Sequence, residues 1–141
     1  MWPATFEQRL HAWGVLRESI QHASLDQTLN DINAWWRMTP WRAYHLHWDD
    51  RLSWPDPWEL LSDNIYCDLA RGLGILYTIT LLDRIDLQNS VLMETNQGNL
   101  VLVDNGKYIL NWDSDIVVNI NPGQIKAQHS VTQEQIQQQI R

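Results

Sequence analysis

The chain has one cysteine, Cys67, in the run Ser62-Asp63-Asn64-Ile65-Tyr66-Cys67-Asp68-Leu69-Ala70-Arg71-Gly72-Leu73-Gly74. A helix that begins near Ser62 or Asn64 puts this thiol in its first turn, where unpaired amides and the helix dipole favour a nucleophilic thiolate. The alternative is a small buried residue on an uninterrupted helix, because free cysteines are among the most buried residue types. A second group is His45-Leu46-His47-Trp48-Asp49-Asp50. Histidines two apart on an extended strand point to one side, and a carboxylate can join them on a metal. With no second cluster to close the coordination sphere, solvated loop histidines are the better reading, and no metal is expected. The third group is the nine tryptophans, all but Trp112 lying between Trp2 and Trp58. They can fill a core, stack on bases or sugars, or anchor a protein interface. Base stacking needs a positive groove, and Arg37, Arg42 and Arg51, partly answered by Asp49, Asp50 and Asp56, do not make one. Trp41, Trp48 and Trp54 are therefore the candidate partner-binding residues of this region. No Gly-rich loop opens a helix with a lysine behind it, so no nucleotide or other organic cofactor is expected.

Positioning these groups falls to a helical first half. Thr5-Phe6-Glu7-Gln8 has capping-box spacing, and Phe6, Leu10, Trp13 and Ile20 recur at helical spacing, which predicts a helix over about 5–21 with Gly14 weakening its middle. Ser24-Leu25-Asp26-Gln27 repeats the box ahead of Leu29, Ile32 and Trp36, and that helix stops before Pro40. From Thr39 to Asp56 periodicity is lost, which reads as a long loop pinned by buried rings. Asp56-Pro57-Trp58-Glu59 starts a further helix, with a break at Ser62-Asp63-Asn64 and an end at Gly72 and Gly74. The run Ile75–Leu82 is rich in β-branched residues and reads as a buried strand. Ser90–Thr95, Asn99–Asp104 and Lys107–Asp113 follow as strands, the last two joined by a hairpin turn at Asn105-Gly106, and Ile116–Ile120 adds an edge.

These elements make an α+β fold, helices first and an antiparallel sheet of about four strands second. A single domain over residues 1–121 is expected, helical over 1–73 and sheet over 74–121. Residues 122–141 form a Gln-rich tail with a thin apolar stripe that includes Ile136 and Ile140, which reads equally as a segment that orders against a partner and as a frayed terminus with no role. The formal charge of -7 argues against nucleic acid or an anionic membrane surface. No apolar run approaches the roughly 18 residues of a membrane span, and the start shows no basic n-region or apolar h-region. One cysteine allows no intramolecular disulfide, which fits a protein made and kept in a reducing cytosol or in something assembled there.

The helical half, the pattern Tyr66-Cys67-Asp68-Leu69-Ala70 followed by Leu73-Gly74, and the strands after it resemble, over about residues 57–113, the transglutaminase-like branch of the papain-type cysteine hydrolases. In that family a histidine at a strand start and an aspartate on the next strand complete a Cys-His-Asp triad. The resemblance puts Cys67 in the first position and Asp113, or less well Asp104, in the third. The second position reads Thr95-Asn96-Gln97-Gly98-Asn99, with Asn96 or Asn99 where the base belongs, and no histidine occurs between Cys67 and His129. An asparagine cannot accept a proton at neutral pH, so a fold without the chemistry is expected unless His45 or His47 substitutes in space. Ala34-Trp35-Trp36, Trp54-Pro55-Asp56-Pro57-Trp58-Glu59-Leu60 and Tyr66–Ala70, in that order, also resemble stretches of short proteins of tailed bacteriophages. That likeness implies a non-enzymatic structural or adaptor component of a virion, in the tail, baseplate or neck. Its partners would be other virion proteins in a symmetric multi-copy assembly. The competing classes are a Cys67-dependent amide hydrolase or acyltransferase oriented by Asp113, and a small carbohydrate-binding module.

Overall fold

A computed structural model describes residues 1–43, 46–112, 117–118 and 126–140. It shows the mixed architecture anticipated above, N-terminal helices followed by a four-stranded antiparallel sheet. Helix α1 (Phe6–Ile20) is set by a reciprocal cap in which Gln8 N donates to Thr5 Oγ1 and Thr5 N donates to Gln8 Oε1, each at 3.2 Å. Helix α2 (Leu25–Arg37) starts on Ser24, whose hydroxyl accepts from Gln27 N. Helix α3 (Pro57–Asp63) carries the Asp56/Glu59 box with proline in its first turn, and Asn64 ends it at φ 55°.

Helix α4 (Asp68–Leu82) runs through the centre and packs against α2 and α3, and against strands β1 (Val91–Thr95) and β2 (Gly98–Val103). This corrects two expectations: Gly72 and Gly74 do not end a helix, and Ile75–Leu82 is not a strand. The sheet accordingly begins at Val91 rather than near residue 74. A run buried on every side has no polar face, so periodicity cannot separate a helix from a strand there. The β-branched residues fit because Thr78 and Thr80 donate their hydroxyls to the carbonyls of Gly74 and Leu76, at 2.8 and 2.7 Å. The glycines serve close approach. A Cβ on Gly74 would lie 2.5 Å from Trp36 Cζ3, and one on Gly72 would lie 2.6 Å from Leu92 Cδ1.

A substitution series tests this packing. Gly74→Ala should lower the melting temperature, because overpacking against the rigid Trp36 ring costs about 1–3 kcal/mol against at most ~1 kcal/mol gained in helix propensity. Gly72→Ala should cost less, since the end of the Leu92 side chain can turn away. Gly14→Ala meets nothing within 4 Å and should stabilise α1 by about 1 kcal/mol. Thermal denaturation of the three variants would show the order, and a destabilising Gly14→Ala or a neutral Gly74→Ala would contradict it.

The sheet order is β3-β2-β1-β4, with β3 at Tyr108–Leu110 and β4 at Ala127–Thr132. The β2–β3 turn uses left-handed backbone at Asp104, Asn105 and Gly106, which the Asn-Gly pair tolerates. Beyond β3, Val118 pairs antiparallel with Ile109; the other residues of the strand expected over 116–120 lie outside those described, except Val117. The segment read as a partner-seeking tail instead supplies β4, paired along β1, and a short helix α5 (Gln133–Gln137) capped by Thr132. Val131 and Ile136 are fully buried in the main core. Four of the five β4 residues before Thr132 are exposed, so the strand is held chiefly by backbone pairing and carries no alternation to read.

Candidate functional site

The site lies where α4 begins against the open ends of β2 and β3. Cys67 is the N-cap of α4 rather than a residue inside its first turn, with its backbone extended. Its sulfur accepts from Ala70 N at 3.4 Å and from Leu46 N at 3.5 Å, and the residue is 4 % exposed. The preceding Tyr66 is tied to the tryptophan loop, where Arg42 N donates to its carbonyl at 2.6 Å and Trp41 forms a parallel bridge with it. Burial pushes the Tyr66 hydroxyl above its ordinary range, with Arg9 opposing and Asp63 adding to the rise, so it remains a neutral donor to Leu60 O.

Asp68, the first residue of α4, organises the strand ends. Its Oδ2 accepts from Asn99 N at 2.7 Å and from Asn99 Nδ2 at 3.1 Å. Asn111, at φ 62° just past β3, donates its Nδ2 to the carbonyls of Asp68 and Asn99 at 3.0 and 2.8 Å, and its backbone N to Asn33 Oδ1 on α2. One carboxylate and two asparagine side chains thus lock helix and sheet together. A Cβ at Gly98, where φ is 111°, would stand 3.1 Å from Asp68 Oδ2.

Of the two asparagines at the expected base position, Asn99 faces this site, whereas Asn96 lies in the β1–β2 turn and pairs with Lys126. Asn99 Oδ1 accepts from Trp48 Nε1 at 2.7 Å. The Trp48 ring stacks on the His129 imidazole, centroids 5.8 Å apart and planes 15° from parallel, and His129 Nδ1 lies 2.7 Å from Glu94 Oε1. Asn99, Glu94 and His129 are register partners across β2, β1 and β4, so their side chains share a face with Trp48 laid over them. Asp113 and His45 lie outside the described residues. His47 is exposed and its carbonyl accepts from Trp54 Nε1, while Asp104 sits in the β2–β3 turn. Among the described residues, no group of three or more His, Cys, Asp or Glu is arranged to hold a metal ion.

The candidate partner-binding residues divide. Trp41 is 60 % exposed at the rim of the Cys67 cleft. Trp48 is half-buried in the stack just described, and Ile140 is half-buried against the core. Two need correction: Trp54 is 5 % exposed, edge-on to Trp48, and Ile136 has no exposed surface, so neither is free to meet a partner. Sequence reasoning missed Asp68, Asn111 and Asn33, because each acts through a contact from 31 to 78 residues away along the chain. The one local signal was asparagine at 111, a residue that tolerates left-handed backbone at a strand end.

The cleft has two connected parts that share Trp41 and Asp68. One, of about 280 Å³, is lined by Cys67, Leu46, Leu69, Ala43 and Asn99; the other, of about 430 Å³, by Arg37, Arg71, Gln97 and Asn111. No helix of the described residues is long and apolar enough to cross a membrane. No protein-family model, curated protein or solved structure matches the chain.

Proposed function

We propose that the chain is a non-enzymatic structural or adaptor component of a tailed-phage virion, in the tail, baseplate or neck, and that it works by contacting neighbouring subunits. The virion setting rests on the sequence resemblance. The non-enzymatic reading is supported by Asn99, which lines the cleft, is held by Asp68 and Trp48, and is one of the two asparagines that the resemblance puts in place of a base. Trp41, a large ring left exposed at the rim, is of the type that anchors interfaces. Native protein should therefore label slowly with iodoacetamide near about pH 6, since the sulfur is buried and no base is positioned beside it among the described residues. Light scattering on the same sample, and mass spectrometry of purified particles, test the assembly reading; a monomer absent from particles would sink it.

The second reading is a cysteine-dependent amide hydrolase or acyltransferase of transglutaminase-like type. It is favoured by the two N–H groups donated to the Cys67 sulfur, one of them from Leu46, which is flanked in the chain by His45 and His47. Rapid stoichiometric labelling that is lost in Cys67→Ala and slowed in His45→Ala would support it and overturn the first reading.

A further inference from the structure

We propose that the outer edge of β4 is a self-association surface, on which a second copy of the chain pairs β4 against β4, antiparallel about a two-fold axis at Ser130, and joins the two four-stranded sheets into one. Such a dimer goes beyond the adaptor reading and forms whether or not the chain belongs to a virion. The strand order leaves β3 and β4 at the edges of the sheet. The β3 edge is occupied at its middle residue, where Ile109 N donates to Val118 O at 2.8 Å and Val118 N donates to Ile109 O at 3.0 Å. β4 pairs with β1 on one side, and among the described residues no backbone group pairs with its other side. Alternate N–H and C=O groups of an antiparallel strand face away from its one neighbour, so β4 presents a row of open donors and acceptors. Ala127, Gln128, His129 and Ser130 are all exposed, which leaves this edge open to solvent.

The composition of the edge names its occupant. Sheet edges are ordinarily blunted by proline, by lysine, by an inward charge or by a bulge. β4 has no proline and no Asp, Glu, Lys or Arg, and His129 is turned to Glu94. The one register shift falls at Glu94/Thr95, opposite the start of the strand, and leaves His129–Thr132 regularly paired. Two chains of net charge -7 repel over most of their surfaces, and a strand without carboxylates is where that repulsion is least. Pairing about Ser130 sets His129 opposite Val131 of the second copy, with no like charges opposed. It also brings the exposed Lys126, just ahead of the strand, towards the exposed Glu134 in the first turn of α5 of the second copy, and the two-fold axis repeats that attraction. With one open edge on each sheet, the pairing closes as a dimer and does not propagate. Six paired residues bury less than the roughly 1,200 Å² of a standard interface, so the dimer is weak, with a Kd on the order of 10 μM.

Sedimentation equilibrium of the intact chain, over about 1–300 μM, tests the pairing. The weight-average mass should rise from that of one chain to that of two and no further. Ser130→Lys and Ser130→Glu, at an exposed position, each put like charges opposite one another across the axis and should weaken the dimer about fivefold. An equal mixture of the two variants should regain the wild-type affinity, because lysine then faces glutamate, a recovery that damage to the fold by either substitution would not allow. A wild type that stays monomeric throughout, a dimer that neither substitution weakens, a mixture no tighter than its components, or growth beyond two chains would overturn the proposal. Detection of the chain in purified particles is independent of these outcomes, so loss of the dimer and loss of the adaptor reading are separate results.

Discussion

Replacing Thr78 with valine should lower the free energy of unfolding by about 3–5 kcal/mol, although the two side chains have nearly the same shape. The hydroxyl sits at the centre of the core and every bonding position on it is used. It donates to Gly74 O at 2.8 Å and accepts from Trp13 Nε1 at 2.9 Å and Trp36 Nε1 at 3.0 Å. A hydroxyl has one proton and two lone pairs, so this arrangement satisfies it fully and serves α1, α2 and α4 at once. Valine leaves two buried indole N–H groups with no acceptor, each costing about 1–3 kcal/mol. Against a total of about 5–15 kcal/mol for a domain, that is a large share. Thr78→Ser keeps the oxygen and should cost about 1 kcal/mol for the lost methyl. Urea titrations followed by tryptophan fluorescence would separate the two variants. A valine variant as stable as the serine one would mean that the indoles find other acceptors.

Ile136→Ala should cost about 2–5 kcal/mol, as for a large core side chain, while Ile140→Ala, whose surface is only half covered, should cost less than about 1 kcal/mol. The contrast separates an integral C-terminal segment from a free arm. Val131 on β4 and Ile136 on α5 are both fully buried in the main core, and Gln133 Oε1 accepts from Ser90 N at 2.9 Å ahead of β1. Gln139 Nε2 also donates to Arg51 O, which ties this segment to the tryptophan loop. A chain truncated before Ala127 should lose β1's partner on one side and its cooperative unfolding transition. If Ile136→Ala and wild type share one urea midpoint, the segment is not part of the core.

The features legible along the chain are local ones. The caps at Thr5, Ser24 and Asp56, the left-handed stop at Asn64 and the Asn105-Gly106 turn depend on groups within about four residues of one another, so they form whatever lies across the core. From those signals the α+β class, helices first and antiparallel strands after, could be read, as could Cys67 close to the start of a helix. Tertiary structure decided the rest. Ile75–Leu82 is helical because α2 and α3 on one side and the sheet on the other leave it no solvent face, a condition set by distant segments. β4 exists because β1 offers an unpaired edge, not because Ala127–Thr132 alternates. The joining of Asp68, Asn99 and Asn111, and the convergence of Arg37 and Arg71 beside Trp41, likewise appear only when helix ends and strand ends meet. Their energies come from pairings between residues far apart in the chain, which no window on the sequence contains.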